Sequence, residues 1–150
     1  MYGRMGGGTS ALSIPGVRTI VAFLLAQIGI YPVIYHGLVP NGGSAMAAAN
    51  TAALETLWET CIGTTQAVIV FTTGIWSLNA TDLTAATPGS IGVSVSIEGI
   101  GKSTVVLDFF GSSGPFLNFA PSAGSVGRCH LKQLLIQHDS VSTGACLNFS

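Results

Sequence analysis

The chain is 150 residues long with a formal net charge of -1; 48% of its residues are hydrophobic and only 7% are charged, where an ordinary soluble domain carries about 25% charged. That length holds one modest domain with an appendage and excludes two full-sized domains. Arg4, Arg18, Lys102, Arg128 and Lys132 are scattered along the chain, so no basic field gathers phosphate backbones and the composition argues against nucleic acid as a partner.

Residues 1 to about 18 are rich in Gly and Ser without periodicity and read as a flexible or partner-ordered arm. Residues 19–35 are the most apolar run, just under the roughly 20 residues that span a bilayer, and Gln27, Gly29 and Pro32 interrupt it. Burial against a partner protein accounts for this run better than membrane insertion or export. Residues 19–40 form either an apolar helix or a pair of strands ending at Pro32 or Pro40, because an unbroken apolar run suits both.

Asn41-Gly42-Gly43 is a turn signal, and Ser44 is a candidate N-cap for the helix that follows. Over residues 45–61, Met46, Ala49, Ala53, Leu57 and Cys61 recur at three- and four-residue intervals, with Leu54 and Trp58 widening the stripe and Glu55 and Glu59 off it. Short β-branched or aromatic runs then take over at 67–71, 75–78, 93–97, 104–110, 116–119, 131–137 and 145–149, each bounded by turn-forming residues. No Asn-Gly or Asp-Gly pair joins them, which argues against tight hairpins and toward a coil of parallel strands. The runs at 93–97, 116–119 and 134–136 recur about every 20 residues, the lower end of the usual repeat period. Such a stack needs its first turn sealed, and the helix at 45–61 stands where that seal is required.

Chemistry-bearing constellations are sparse. Cys61, Cys129 and Cys146 suit neither a paired disulfide framework nor a zinc spacing and read as buried thiols. Ser96-Ile-Glu-Gly-Ile-Gly-Lys-Ser103 ends like a phosphate-binding loop but has Ser where Gly is needed and runs into a predicted strand, so no nucleotide cofactor is expected. Glu55 and Glu59 suit a solvated helix face and Glu98 a turn; Asp108 and Asp139 lie near strand ends, where adjacent turns would allow them to meet. His36, His130 and His138 are too far apart for a local metal motif. Phe71, Trp76, Phe109, Phe110, Phe116 and Phe119 suit a packed core better than a sugar platform. No catalytic, cofactor or metal residues are assigned.

The order of the helix Ala45-Met-Ala-Ala-Ala-Asn-Thr-Ala-Ala-Leu-Glu-Thr-Leu-Trp58, the strand Val68-Ile-Val-Phe71, the turn Thr73-Gly-Ile-Trp76 and the run Val95-Ser-Ile-Glu-Gly-Ile-Gly-Lys-Ser-Thr-Val-Val106 resembles the start of pectate-lyase-like parallel β-helices, especially phage tailspikes and related receptor-binding proteins. The resemblance covers roughly residues 41–150 and lies in the order of short motifs. Two features depart from it: only two or three turns are present, and Asn41-Gly42-Gly43-Ser44 stands where the family often has an Asp-Gly turn.

The resemblance implies a mostly β fold, the start of a right-handed parallel β-helix capped by an amphipathic helix and preceded by an apolar anchoring arm. The implied division is an anchor at 1–40 and the capping helix with the first turns at 41–150. It further implies a homotrimeric structural component of a virion tail, assembled in the host cytoplasm. Such a component binds a tail adaptor or capsid protein through its first 40 residues and host-surface polysaccharide through a distal region. The anchor residues expected from this are Ile20, Val21, Phe23, Leu24, Leu25, Ile28, Ile30, Tyr31 and Tyr35, and the capping residues are Met46, Leu54, Leu57 and Trp58. The alternative is a polysaccharide lyase or hydrolase whose catalytic carboxylates lie outside these residues.

Overall fold

The computed structural model of the protein describes residues 14–62, 66–85, 94–101, 104–110, 117–121, 128–138 and 147–149. Pro15 stands in the first turn of an α-helix, α1 (Ile14–Ala26), where a missing amide donor costs nothing. The helix therefore takes in residues 14–18, which composition alone assigned to the arm. Residues 19–26 resolve as helix, and Gly29 at φ 74 turns the chain into a short strand, β1 (Ile30–Pro32), and a 3-10 turn (Val33–Tyr35).

Asn41 and Gly43, both at φ 60, make the turn that the Asn-Gly-Gly signal predicts. The second helix, α2 (Ser44–Ile62), starts with Met46 N donating to Gly43 O at 3.0 Å. Its buried stripe is Ala47, Asn50, Thr51, Leu54, Leu57, Trp58 and Cys61. Ala49 is exposed and Met46 and Ala53 are half-buried, so the expected stripe is displaced toward Ala47, Asn50 and Thr51. Counting apolar residues missed this because two members of the true stripe are polar.

Nine strands follow among the described residues: β2 (Gln66–Phe71), β3 (Gly74–Asn79), β4 (Thr81–Ala85), β5 (Ser94–Gly99), β6 (Val105–Phe110), β7 (Leu117–Pro121), β8 (Arg128–Lys132), β9 (Leu135–His138) and β10 (Leu147–Phe149). They form three sheets in the orders β1-β2-β5-β8, β3-β6-β9 and β10-β7-β4, and every pairing among the described residues is parallel. The fold is mixed α/β with two helices and parallel sheets.

Three strand expectations need correction. β4 was not anticipated, because Thr81-Asp-Leu-Thr-Ala carries one large apolar residue. The predicted strand at 131–137 is two strands, β8 and β9, broken where Gln133 takes φ 56. Leu131 and Leu134 are three residues apart, out of phase for one strand of period two. The 20-residue interval also fails: Gln66 pairs with Ser94 and Ser94 with Arg128, intervals of 28 and 34 residues. The shorter spacing linked β5, β7 and β9, which belong to three different sheets.

Register stacks like on like. Ala67, Val95 and Cys129 are aligned across the first sheet, as are Ile69, Ile97 and Leu131, while Trp76, Leu107 and Ile136 align across the second. These residues, with Phe71, Leu78 and Phe109, form one core into which α2 inserts Leu54, Leu57, Trp58 and Cys61. Each large apolar side chain so buried contributes about 1.5–3 kcal/mol relative to exposure. Gly99 permits the close stacking of neighbouring segments, since a Cβ there would stand 2.2 Å from Gln133 O.

Candidate functional site

Two features stand out: a helix that leaves its apolar face in solvent and a set of polar side chains that closes a sheet edge. On α1, Ile20 is 59% exposed, Phe23 64% and Leu24 59%, and Ile28 just past its end is 69% exposed. Val17 continues the face. Val21, Leu25 and Ala26 lie half-buried on the other side. The expected anchor residues thus divide. Ile20, Phe23, Leu24 and Ile28 are available to a partner, Val21, Leu25, Ile30 and Tyr35 are half-buried, and Tyr31 is buried in the protein's own core. Tyr31 lies on β1, which pairs with β2, and alternation turns it inward.

The outer edges of the sheets are closed at the α2 end. β1 covers β2, with Gly29 O accepting from Val68 N at 2.8 Å. Pro32 is tolerated there because it lies on an edge strand. β3 is closed without a strand. Asn41 N donates to Ile75 O at 2.7 Å while Ile75 N donates to Asn41 Oδ1 at 3.0 Å, so one asparagine imitates a strand residue. Asn50 Nδ2 donates to Ser77 O at 3.0 Å, and Asn79 N donates to Thr51 Oγ1 at 2.7 Å. Ile75, Ser77 and Asn79 alternate along the strand, so these bonds serve the edge that faces away from β6. Asn50 also spans the loop before α2, accepting from Val39 N at 2.8 Å and donating to Val39 O at 2.9 Å. Of the predicted capping residues, Leu54, Leu57 and Trp58 are buried and Met46 is half-buried. Asn41, Asn50 and Thr51 were not predicted. A lone Asn at the i+3 position from Ala47 and four before Leu54 was the available signal.

Among the described residues the carboxylates do not assemble. Glu98 Oε1 accepts from Lys132 Nζ at 2.8 Å and from Ser96 Oγ at 2.6 Å, and these two contacts hold its carboxyl below the usual range. Asp108 lies opposite Gln137, which donates to it at 3.2 Å, and Asp139 lies outside the described residues. Asp82 stands opposite Asn118 in register. Glu55 and Glu59 are exposed on α2. Among the described residues no cluster of three His, Cys, Asp or Glu suits a metal.

The phosphate-loop likeness ends in β6, a strand, with Lys102 and Ser103 outside the described residues. Phe71, Trp76 and Phe109 are fully buried and Phe110 half-buried; Phe116 lies outside the described residues. Burial pushes the Cys61 and Cys129 thiols up to about 12, so neither is a nucleophile at neutral pH. Cys146 lies outside the described residues. A 360 Å³ depression at the corner between β5 and β6 is lined by Ile100, Thr104, Gln133 and Leu135 among others, with no titratable side chain among the described residues of its lining. No described helix is long and apolar enough to cross a membrane.

His36 packs its ring at a tilt against Tyr31, 5.9 Å between centroids, and its buried Nε2 has no hydrogen-bond partner. Burial lowers its pKa from the ordinary 6.5. The unfolded chain therefore takes up a proton at a higher pH than the folded one. Stability should hold above pH 6.5 and fall as pH drops below it, and Glu98, also lowered, adds a second decline below its ordinary 4.5. Urea midpoints at pH 7.5 and 5.5 check this. The wild type should lose ground at pH 5.5, and a His36→Asn variant should show little loss over that interval.

No protein-family model, no curated protein and no solved structure matches the chain.

Proposed function

We propose that the chain is the N-terminal attachment region of a phage tailspike or tail fibre, a homotrimeric structural part of the virion. In this reading residues 1–40 dock on a tail adaptor or capsid protein. Residues 41–150 are the capping helix and first turns of a right-handed parallel β-helix that carries a host-polysaccharide-binding region.

The observation that carries this reading is strand order. Each strand from β2 to β7 pairs with the strand three places later, in parallel and in register, and this reading takes β2-β3-β4, β5-β6-β7 and β8-β9-β10 as three successive turns. A chain that visits three sheets in rotation and returns to each in register has the pattern of a coil. The closed edge of β3 and the buried side of α2 support a capping role for the helix, and the exposed face of α1 supports an attachment role for the segment before it. The low charge fits a part that spends its life against other proteins.

Immunogold labelling of phage particles from the culture that produces the chain is the test. Label at the tail is expected. Particles that carry no label while the chain stays in the soluble fraction would overturn the attachment role.

A further inference from the structure

We propose that residues 14–36 form an acid-released clasp: protonation of His36 frees α1, β1 and the 3-10 turn from the edge of β2 while α2 and the remaining strands stay folded. The clasp belongs to the protein's own fold and is independent of the partner that residues 1–40 are proposed to meet.

The chemistry lies in one ring. His36 is half-buried just after the 3-10 turn, tilted against Tyr31, and its buried Nε2 has no hydrogen-bond partner. A neutral imidazole leaves one nitrogen without a bond there. An imidazolium would add a positive charge and an N–H that nothing accepts, which a buried site disfavours strongly. No neighbouring charge offsets this. Tyr31 and Tyr35 are the titratable groups of β1 and the 3-10 turn, β2 carries none, α1 adds Arg18, and α2 adds the exposed Glu55 and Glu59 and the buried Cys61. None of them acts on the ring, and burial alone lowers its affinity for a proton.

Position decides what opens. β1 is three residues long, ends its sheet, and contains Pro32, which has no amide to donate. Tyr31 and Val33 are the buried side chains of the segment. Val33 O accepts from both His36 N at 3.0 Å and Leu38 N at 3.3 Å, so the turn beside the ring hangs on one carbonyl. α1 packs against β1 and the 3-10 turn and moves with them. β2 keeps β5 along its other edge from Gln66 to Phe71. The chain after the ring is clamped, since Asn50 holds both polar groups of Val39 and Asn41 bonds Ile75. Between ring and clamp lies Gly37, exposed and at φ 91, where the backbone turns readily. A short edge element with few buried side chains opens at a lower free energy than the whole fold.

Amide hydrogen exchange of the full chain, followed by NMR at pH 7.5 and 5.5 and corrected for the intrinsic pH dependence of exchange, tests the clasp. Val68 N donates to Gly29 O at 2.8 Å across the edge that the clasp covers. Its protection should fall by about 10-fold or more at the lower pH. At pH 5.5 its exchange should respond to low urea far less than the most protected amides of β6, the mark of a local opening. His36→Asn should hold the protection of Val68 level between the two pH values. His36→Phe keeps a ring against Tyr31 without the unpartnered nitrogen and should do the same, so the result does not hang on the folding of one variant. His130 and His138 titrate in all three proteins, which separates their effect from that of His36. Protection at Val68 that ignores pH in the wild type, a response to urea as steep as that of β6, or a pH dependence that survives in the variants would overturn the proposal.

Discussion

Trp76→Ala is expected to lower folding stability by about 3–5 kcal/mol, the cost of emptying a fully packed aromatic site. Trp76 has no exposed surface, meets Phe71 edge-on with 5.3 Å between ring centroids, and donates its indole N–H to Thr72 O at 2.9 Å. It stands at the end of the row Trp76, Leu107 and Ile136, in the core that the α2 side chains Leu54, Leu57 and Trp58 share, so the cavity would open in the interior under the helix. Against a total stability of about 5–15 kcal/mol, a loss of this size leaves a marginal protein. Urea denaturation followed by tryptophan-independent circular dichroism measures it. Trp76→Phe keeps most of the volume and loses the bond to Thr72, so its cost should be nearer 1–2 kcal/mol. Equal small costs for both variants would show that the ring does not fill the interior.

The second large effect is expected at Asn50. Its amide holds the edge of β3 through Ser77 O and the loop before α2 through both polar groups of Val39. Asn50→Leu strands those backbone groups in a buried setting at about 1–3 kcal/mol each, and a loss of about 3–5 kcal/mol in all is expected. Asn50→Asp is the sharper experiment. Its carboxylate still accepts from Val39 N but faces the carbonyls of Val39 and Ser77, where Asn50 donates two bonds. The folded state would then raise the pKa of the new carboxyl above the unfolded value of about 3.9. A raised carboxyl stabilises the fold at low pH and loses that contribution as pH rises. The Asn50→Asp variant should therefore gain stability relative to the wild type as pH falls from 7 toward 4.5. Denaturant midpoints across that range would show a constant difference if Asn50 merely filled space.

The residues that were legible and those that were not differ in a physical way. Period-two and period-four apolar patterns carried the helix over residues 45–61 and most strands, because burial of alternate side chains writes itself into composition. β4 escaped because its sheet position is held by backbone pairing with β7 while its side chains are mostly small or polar. The pairing intervals escaped because the segments linking the strands differ in length: a return to the first sheet takes 28 residues once and 34 the next time. Asn41, Asn50 and Thr51 escaped because each is ordinary in sequence and takes its role from the strand edge it meets.

Composition, by itself, determined that little charge is available for nucleic acid or acid–base chemistry, that strands dominate after residue 63, and that an amphipathic helix precedes them. These are local or summed properties, set by which side chains are present and at what interval. The tertiary structure alone decided that residues 19–26 are helix, that Tyr31 turns inward while Ile20, Phe23 and Leu24 stay in solvent, and that three side chains stand in for a missing strand. Each of those depends on what lies across from the residue. An apolar side chain reads the same in sequence whether its neighbour in space is its own core or water.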